Sequence, residues 1–228
     1  MFQTRFTLHM FAYKHRVVSA LDKMVSDAFS HADKYLETQG DKDDERTYSL
    51  TKCTENMGAF IRLNDSVLHR IRDFPLGKDP QKNQHIEAAR LLVERIDKRR
   101  LYKLVHEIKN YNNQGAKMTG KQIEEEIVTL GNNFEREDIY VQVAKFDFGM
   151  GEENPLKYLN VFSKTDPDKA FPYNQNMVSK LLLPGIFSEK IVRVYCKAED
   201  ECKKTAIKEA AVKWEEKLTA ATSAKQGN

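Results

Sequence analysis

Apolar residues recur early in the chain at steps of three and four: Val18, Leu21, Val25, Phe29, Ala32 and Leu36. That period marks an amphipathic helix and predicts one long helix over roughly 4–37, ending near Gly40. The charged segment Asp41-Lys-Asp-Asp-Glu-Arg46 follows. An EF-hand calcium loop needs Gly at its sixth position and Glu at its twelfth. Here Arg46 and Lys52 stand there, so the segment reads as a solvated turn. Residues 54–74 predict one or two short helices broken near Asn64-Asp65, which can serve as an N-cap. Pro75, Gly77 and Pro80 mark a loop, and Ile86, Ala89, Leu92, Val93 and Ile96 give one face of a helix over 83–97.

Beyond residue 97 the period changes. Residues 101–108 read as a strand, 109–120 as an Asn/Gly-rich loop, and Gln122–Leu130 as a short helix capped by Thr119. Ile139, Val141 and Val143 alternate with polar positions, as in a half-buried strand. Tyr158–Ser163 and Ile191–Lys197 repeat that pattern. A last helix over 203–220 carries Ile207, Ala211, Trp214 and Leu218 on one stripe, and 221–228 read as a frayed, flexible tail. The expected fold class is α+β: helices over 1–97, a mixed lobe over 98–220, and the tail.

Composition narrows the class. The chain has 228 residues, a net charge of +3, and 31% charged against 40% hydrophobic residues. No apolar run approaches the ~20 residues of a membrane-spanning helix. The three cysteines, Cys53, Cys196 and Cys202, lack CxxC spacing and read as reduced thiols of an intracellular protein. Residues 1–21 hold Arg5, Lys14 and Arg16 and no acid, a balance shared with mitochondrial transit peptides. The helical pattern continues past any cleavage point, so the segment reads instead as a helix with a basic face.

Several motifs bear on chemistry. Gly115-Ala-Lys-Met-Thr-Gly120-Lys121-Gln122 fits GxxxxGK, but Gln122 replaces the hydroxyl residue that binds magnesium in a P-loop. A P-loop ATPase would depend on Lys121. The six histidines show no HxxxH or HExxH spacing, so no local metal site is expected. Arg5, His9 and Tyr13 lie four residues apart. At about 40° of drift per step they share one helix face, offering a guanidinium, an imidazole and a ring. His15 points to the far side, with Arg16 extending the basic surface, so one helix could address two anionic ligands. Lys98-Arg99-Arg100 form a second basic cluster, and Arg99, Leu101 and Lys103 would share one face of a strand.

Several strings together resemble the SAM-and-HD-domain deoxynucleoside triphosphate triphosphohydrolases, over about residues 1–216. They are Met1–Arg5 through Tyr13-Lys-His15-Arg16, Arg99–Lys103, Phe146-Asp-Phe-Gly-Met-Gly-Glu-Glu-Asn-Pro155, Phe162-Ser-Lys164-Thr165 and Ile191–Lys197. The resemblance implies the last helices of an HD-type domain followed by a C-terminal lobe. It implies that Arg5 contacts the triphosphate of a dNTP substrate, that His9, the catalytic candidate, sits near the scissile phosphate, and that Tyr13 borders the sugar. His15, Arg16, Val17 and Lys164 resemble one allosteric nucleotide site. Arg99, Leu101 and Lys103 resemble another, which takes GTP or dGTP. Lys14 replaces a Gln of the family pattern.

The family's catalytic divalent metal (zinc, iron, manganese or magnesium) is held by two histidines and two aspartates upstream of the matching region. The chain is therefore expected to resemble a C-terminal portion of such an enzyme, to bind no cofactor alone, and to be inactive alone. A homo-oligomer in the nucleus or cytoplasm is implied, with no membrane partner. The alternative is a non-catalytic binding module for a homologous subunit or single-stranded nucleic acid.

Overall fold

The computed structural model describes residues 2–109, 111, 118–174 and 185–226. The chain divides into two compact units, Ser19–Tyr102 and a second made of Met1–Val18 with Lys103–Asn228.

The Ser19–Tyr102 unit is helical. It contains most of α2 (Arg16–Ala32), then α3 (Met57–Ile61), α4 (Val67–Asp73) and α5 (Pro80–Asp97). Its buried stripe on α2 is Ala20, Met24, Ala28 and Ala32; α5 buries Ile86, Ala89, Leu92 and Val93. α5 begins as its sequence dictates. Asp79 accepts from the amides of Gln81 and Lys82, and Pro80 takes the first turn, where its missing N–H costs nothing. The charged segment after α2 is the turn between two short antiparallel strands, β1 (Thr38–Gln39) and β2 (Thr47–Tyr48). Asp44 organises that turn. Its carboxylate accepts from the Arg46 side chain and amide, the Tyr48 hydroxyl and the Asn56 amide.

The other unit is built on a three-stranded antiparallel sheet in the order β3 (Lys103–Ile108), β7 (Ser188–Cys196), β4 (Ile139–Asp147). β4 and β7 pair from Ile139↔Cys196 to Asp147↔Ser188, while β3 carries a bulge between Leu104 and His106. Alternation divides the side chains. Val192, Val194 and Cys196 face a core shared with α6 (Gly120–Leu130) and α7 (Glu201–Gln226), including Ile123, Ile127, Ile207 and Trp214. Ile191, Arg193 and Tyr195 lie on the opposite face. There Ala144, Phe146 and Ile191 receive Phe6 and Met10 from the first residues of the chain. α6 is closed by the expected Thr119 cap, with Gln122 completing a capping box. β5 (Asn160–Ser163) and β6 (Asp166–Pro172) form a separate exposed hairpin.

The α+β class holds, while β1, β2 and β6 were not expected and several expected elements have other bounds. The single helix over 4–37 is two: α1 (Phe2–Leu8) runs into a π-helical turn, His9–Tyr13, and α2 starts afresh at Arg16. The wide turn closes through Lys14 N–H donating to the His9 carbonyl at 2.9 Å, five residues back. Strand β3 starts at Lys103, not Leu101. α7 continues to Gln226, beyond the expected end at 220.

Candidate nucleotide-binding residues

α1 and the π-turn lie along the outer face of the three-stranded sheet. Phe6 anchors them, stacked on Phe148 with ring centroids 4.9 Å apart and planes 1° from parallel. With Phe6 and Met10 turned to the sheet, Arg5 and Tyr13 are exposed and His9 is half-buried. The structure brings His9 and Tyr13 together edge to face, with centroids 5.4 Å apart. His9 Nδ1 is buried and makes no hydrogen bond within the protein. Arg5 extends along the turn that follows β4. A Cβ on Gly149, whose φ is +102°, would touch Arg5 Nε at 3.4 Å. Lys145 forms a 3.4 Å ion pair with Asp147, which also accepts the Gly149 amide at 2.8 Å. Two cations thus flank a glycine turn.

Lys14 follows the π-turn, and its ammonium is committed to the protein. It donates to the Lys145 carbonyl at 2.6 Å and lies over the Phe146 ring. His15 Nδ1 accepts the Val17 amide at 3.3 Å, an imidazole cap on the first turn of α2. Arg16 is exposed and Val17 half-buried. Lys164 is exposed at the tip of the β5–β6 hairpin.

Arg99, Leu101 and Lys103 do not share a strand face, contrary to the pattern in the sequence. Arg99 closes α5 with φ +58°, its amide donating to the Ile96 carbonyl at 3.0 Å. A non-glycine residue there is strained, and such strain concentrates at functional positions. Leu101 is half-buried between elements, and only Lys103 belongs to a strand. The closure of α5 takes up the residues that alternation assigned to β3.

The P-loop-like string is only partly visible, since Gly115, Ala116 and Lys117 lie outside the described residues. At its visible end, Gly120 and Gln122 serve the start of α6. Among the described residues no group of three or more His, Cys, Asp or Glu side chains could hold a metal ion. Among those residues no helix is long and apolar enough to cross a membrane.

Sequence reasoning missed the side chains bonded to the backbone on either side of His15: Arg193, which donates to the Lys14 carbonyl and to Glu107, and Tyr195, which donates to the Arg16 carbonyl. The available signal was an arginine inside the otherwise apolar run Ile191-Val-Arg-Val-Tyr-Cys196.

No protein-family model matches the chain. It is 33% identical over 221 residues to the deoxynucleoside triphosphate triphosphohydrolase SAMHD1 of Bos taurus, covering 94% of this chain and 36% of that protein. Against the Homo sapiens protein of the same name it is 32% identical over 221 residues, covering 94% and 34%. A putative HD domain-containing protein of Acanthamoeba polyphaga mimivirus is 27% identical over 206 residues, covering 86% of this chain and 41% of that protein. Along nearly its whole length the chain is similar to part of these deoxynucleoside triphosphate triphosphohydrolases, and the likeness fits a C-terminal part of an HD-domain dNTPase. It spans about a third of the length of its SAMHD1 relatives.

Proposed function

We propose that the chain carries substrate-phosphate and activator contacts of a nucleotide-activated dNTP triphosphohydrolase. The observation that carries this reading is the break at Lys14–His15. It separates a segment bearing Arg5, His9 and Tyr13 from a helix start bearing His15, Arg16 and Val17. The family reaction splits a dNTP into deoxynucleoside and triphosphate. Arg5 offers a planar, permanently charged fork to the triphosphate. His9 holds or moves a proton near the scissile phosphate, and the Tyr13 ring walls the sugar. His15, Arg16, Val17 and Lys164 contact one activator. Arg99, Leu101 and Lys103 contact a guanine nucleotide, GTP or dGTP. In this reading the chain supplies nucleotide contacts and no metal ligands, and alone it is inactive. Homo-oligomerisation and a nuclear or cytoplasmic setting complete the proposal.

The test is the purified chain with dGTP and manganese or magnesium. No triphosphate should be released above a buffer control, while a fluorescent dGTP analogue should bind. Arg5→Ala should weaken that binding about ten- to a hundred-fold, the worth of a charge-assisted contact. Robust metal-dependent turnover by the chain would overturn its inactivity. Absence of nucleotide binding would overturn the site. Salt-sensitive binding of single-stranded DNA that dGTP does not compete would favour the binding-module alternative.

A further inference from the structure

The break between the two helical segments is held from the sheet. On its outer face, Glu107, Arg193 and Gln142 form one row across β3, β7 and β4. Arg193 is 5% exposed. Its Nε donates to Glu107 Oε2 at 2.9 Å, and a terminal guanidinium nitrogen donates to the Lys14 carbonyl at 2.6 Å. Two positions along the same face, Tyr195 Oη donates to the Arg16 carbonyl at 3.0 Å. The carbonyls on either side of His15 are thus both taken by side chains of β7. Lys14 precedes α2 and has no place in its hydrogen-bond ladder, so its carbonyl needs an outside donor. A buried guanidinium supplies one, and Glu107 balances its charge.

We infer that Arg193 and Tyr195 are positioning residues that lock the first turn of α2, with His15, Arg16 and Val17, at a fixed angle to the π-turn bearing His9 and Tyr13. The inference rests on the two-site reading above. It makes β7 the element through which the geometry of one site is tied to that of the other. Neither side chain touches nucleotide in this scheme; each acts through a backbone carbonyl.

The experiment uses the full chain and three variants: Tyr195→Phe, Arg193→Gln, and the pair Glu107→Gln with Arg193→Gln, which leaves no unpaired half-buried carboxylate. Backbone hydrogen exchange should quicken roughly three- to ten-fold at residues 14–18, the worth of one hydrogen bond, with Val192, Val194 and Ile207 unchanged. Affinity for the fluorescent dGTP analogue should fall by a similar factor in Tyr195→Phe. In an Arg16→Ala background the same substitution should cost nothing further, because it acts through Arg16. A purely structural tyrosine would give additive losses, and additivity overturns the positioning role. Unaltered exchange at residues 14–18 in folded variants overturns it equally. If the unsubstituted chain binds no dGTP analogue, the nucleotide reading fails, and exchange alone upholds or overturns the lock.

Discussion

Gly120 lies directly beneath the carbonyl oxygen of Val141: a Cβ added to the glycine would overlap that oxygen. The glycine that completes the phosphate-loop-like string is therefore set by the close approach of α6 to β4. Alanine would gain up to about 1 kcal/mol in helix propensity, but the obstacle is backbone and cannot swing aside. Gly120→Ala should be net destabilising by about 1–3 kcal/mol, the usual cost of overpacking, read from the urea midpoint. Lys121→Ala, on the exposed face, should stay within about 0.5 kcal/mol and leave nucleotide binding unchanged. A large loss of nucleotide binding in Lys121→Ala would restore the phosphate-loop reading.

Acid should attack the Ser19–Tyr102 unit through Asp44. Hydrogen bonds from the Arg46 side chain and then the Tyr48 hydroxyl hold its carboxyl well below the ordinary value of 3.8. A depressed pKa contributes stability that is present above the unfolded value and lost as pH falls through the folded one. Asp44→Asn should be less stable than the parent at pH 7, with the gap closing below about pH 4. Urea titrations at both pH values check this, and a gap that widens in acid would contradict it.

Alkali should act through Tyr102. Its hydroxyl donates to Asp27 at 2.9 Å. Burial, then the Asp27 charge, pushes its pKa far above 10.0. A raised pKa contributes stability in full below the unfolded value and loses it as pH rises towards the folded one. Tyr102→Phe should cost about 1.5–3 kcal/mol at pH 7, the range for bonds to charged groups, with the deficit shrinking above pH 10. A deficit constant from pH 7 to 11 would assign Tyr102 to packing alone.

Trp214 is the chain's one tryptophan, and it is 2% exposed, with its indole N–H donating to Glu126 at 2.7 Å. It belongs to the sheet-bearing unit, so its fluorescence reports on that unit. Trp214→Ala should cost about 3–5 kcal/mol. Asp44→Asn should shift the acid transition seen by far-UV circular dichroism and leave the tryptophan transition in place. Coincident shifts by both probes would show that the two units unfold as one.

The elements that could be read beforehand are those whose cause is local. The Thr119 cap, the Ile139 and Val141 alternation and the Trp214 stripe all lie within their own elements. The break at Lys14–His15 could not be read, for no Pro or Gly marks it. Its donors, Arg193 and Tyr195, each stand 179 residues from the carbonyl they hold. Strand β6 was invisible because it is exposed along its whole length and contains two prolines. Spacing of four correctly joined His9 to Tyr13. Spacing of two wrongly joined Arg99 to Lys103, because a left-handed residue resets the direction of the chain.

The division of the chain has a consequence for synthesis. Ser19–Tyr102 is continuous, whereas the first eighteen residues must wait for β7 before their own unit can close. Until Arg193 and Tyr195 emerge from the ribosome, nothing grips the carbonyls of Lys14 and Arg16. Local spacing then favours an unbroken helix through that point. The angle between the two candidate sites is thus imposed late, by docking. A nascent chain stopped short of Ser188 should show it directly, as hydrogen-exchange protection running without interruption through Lys14.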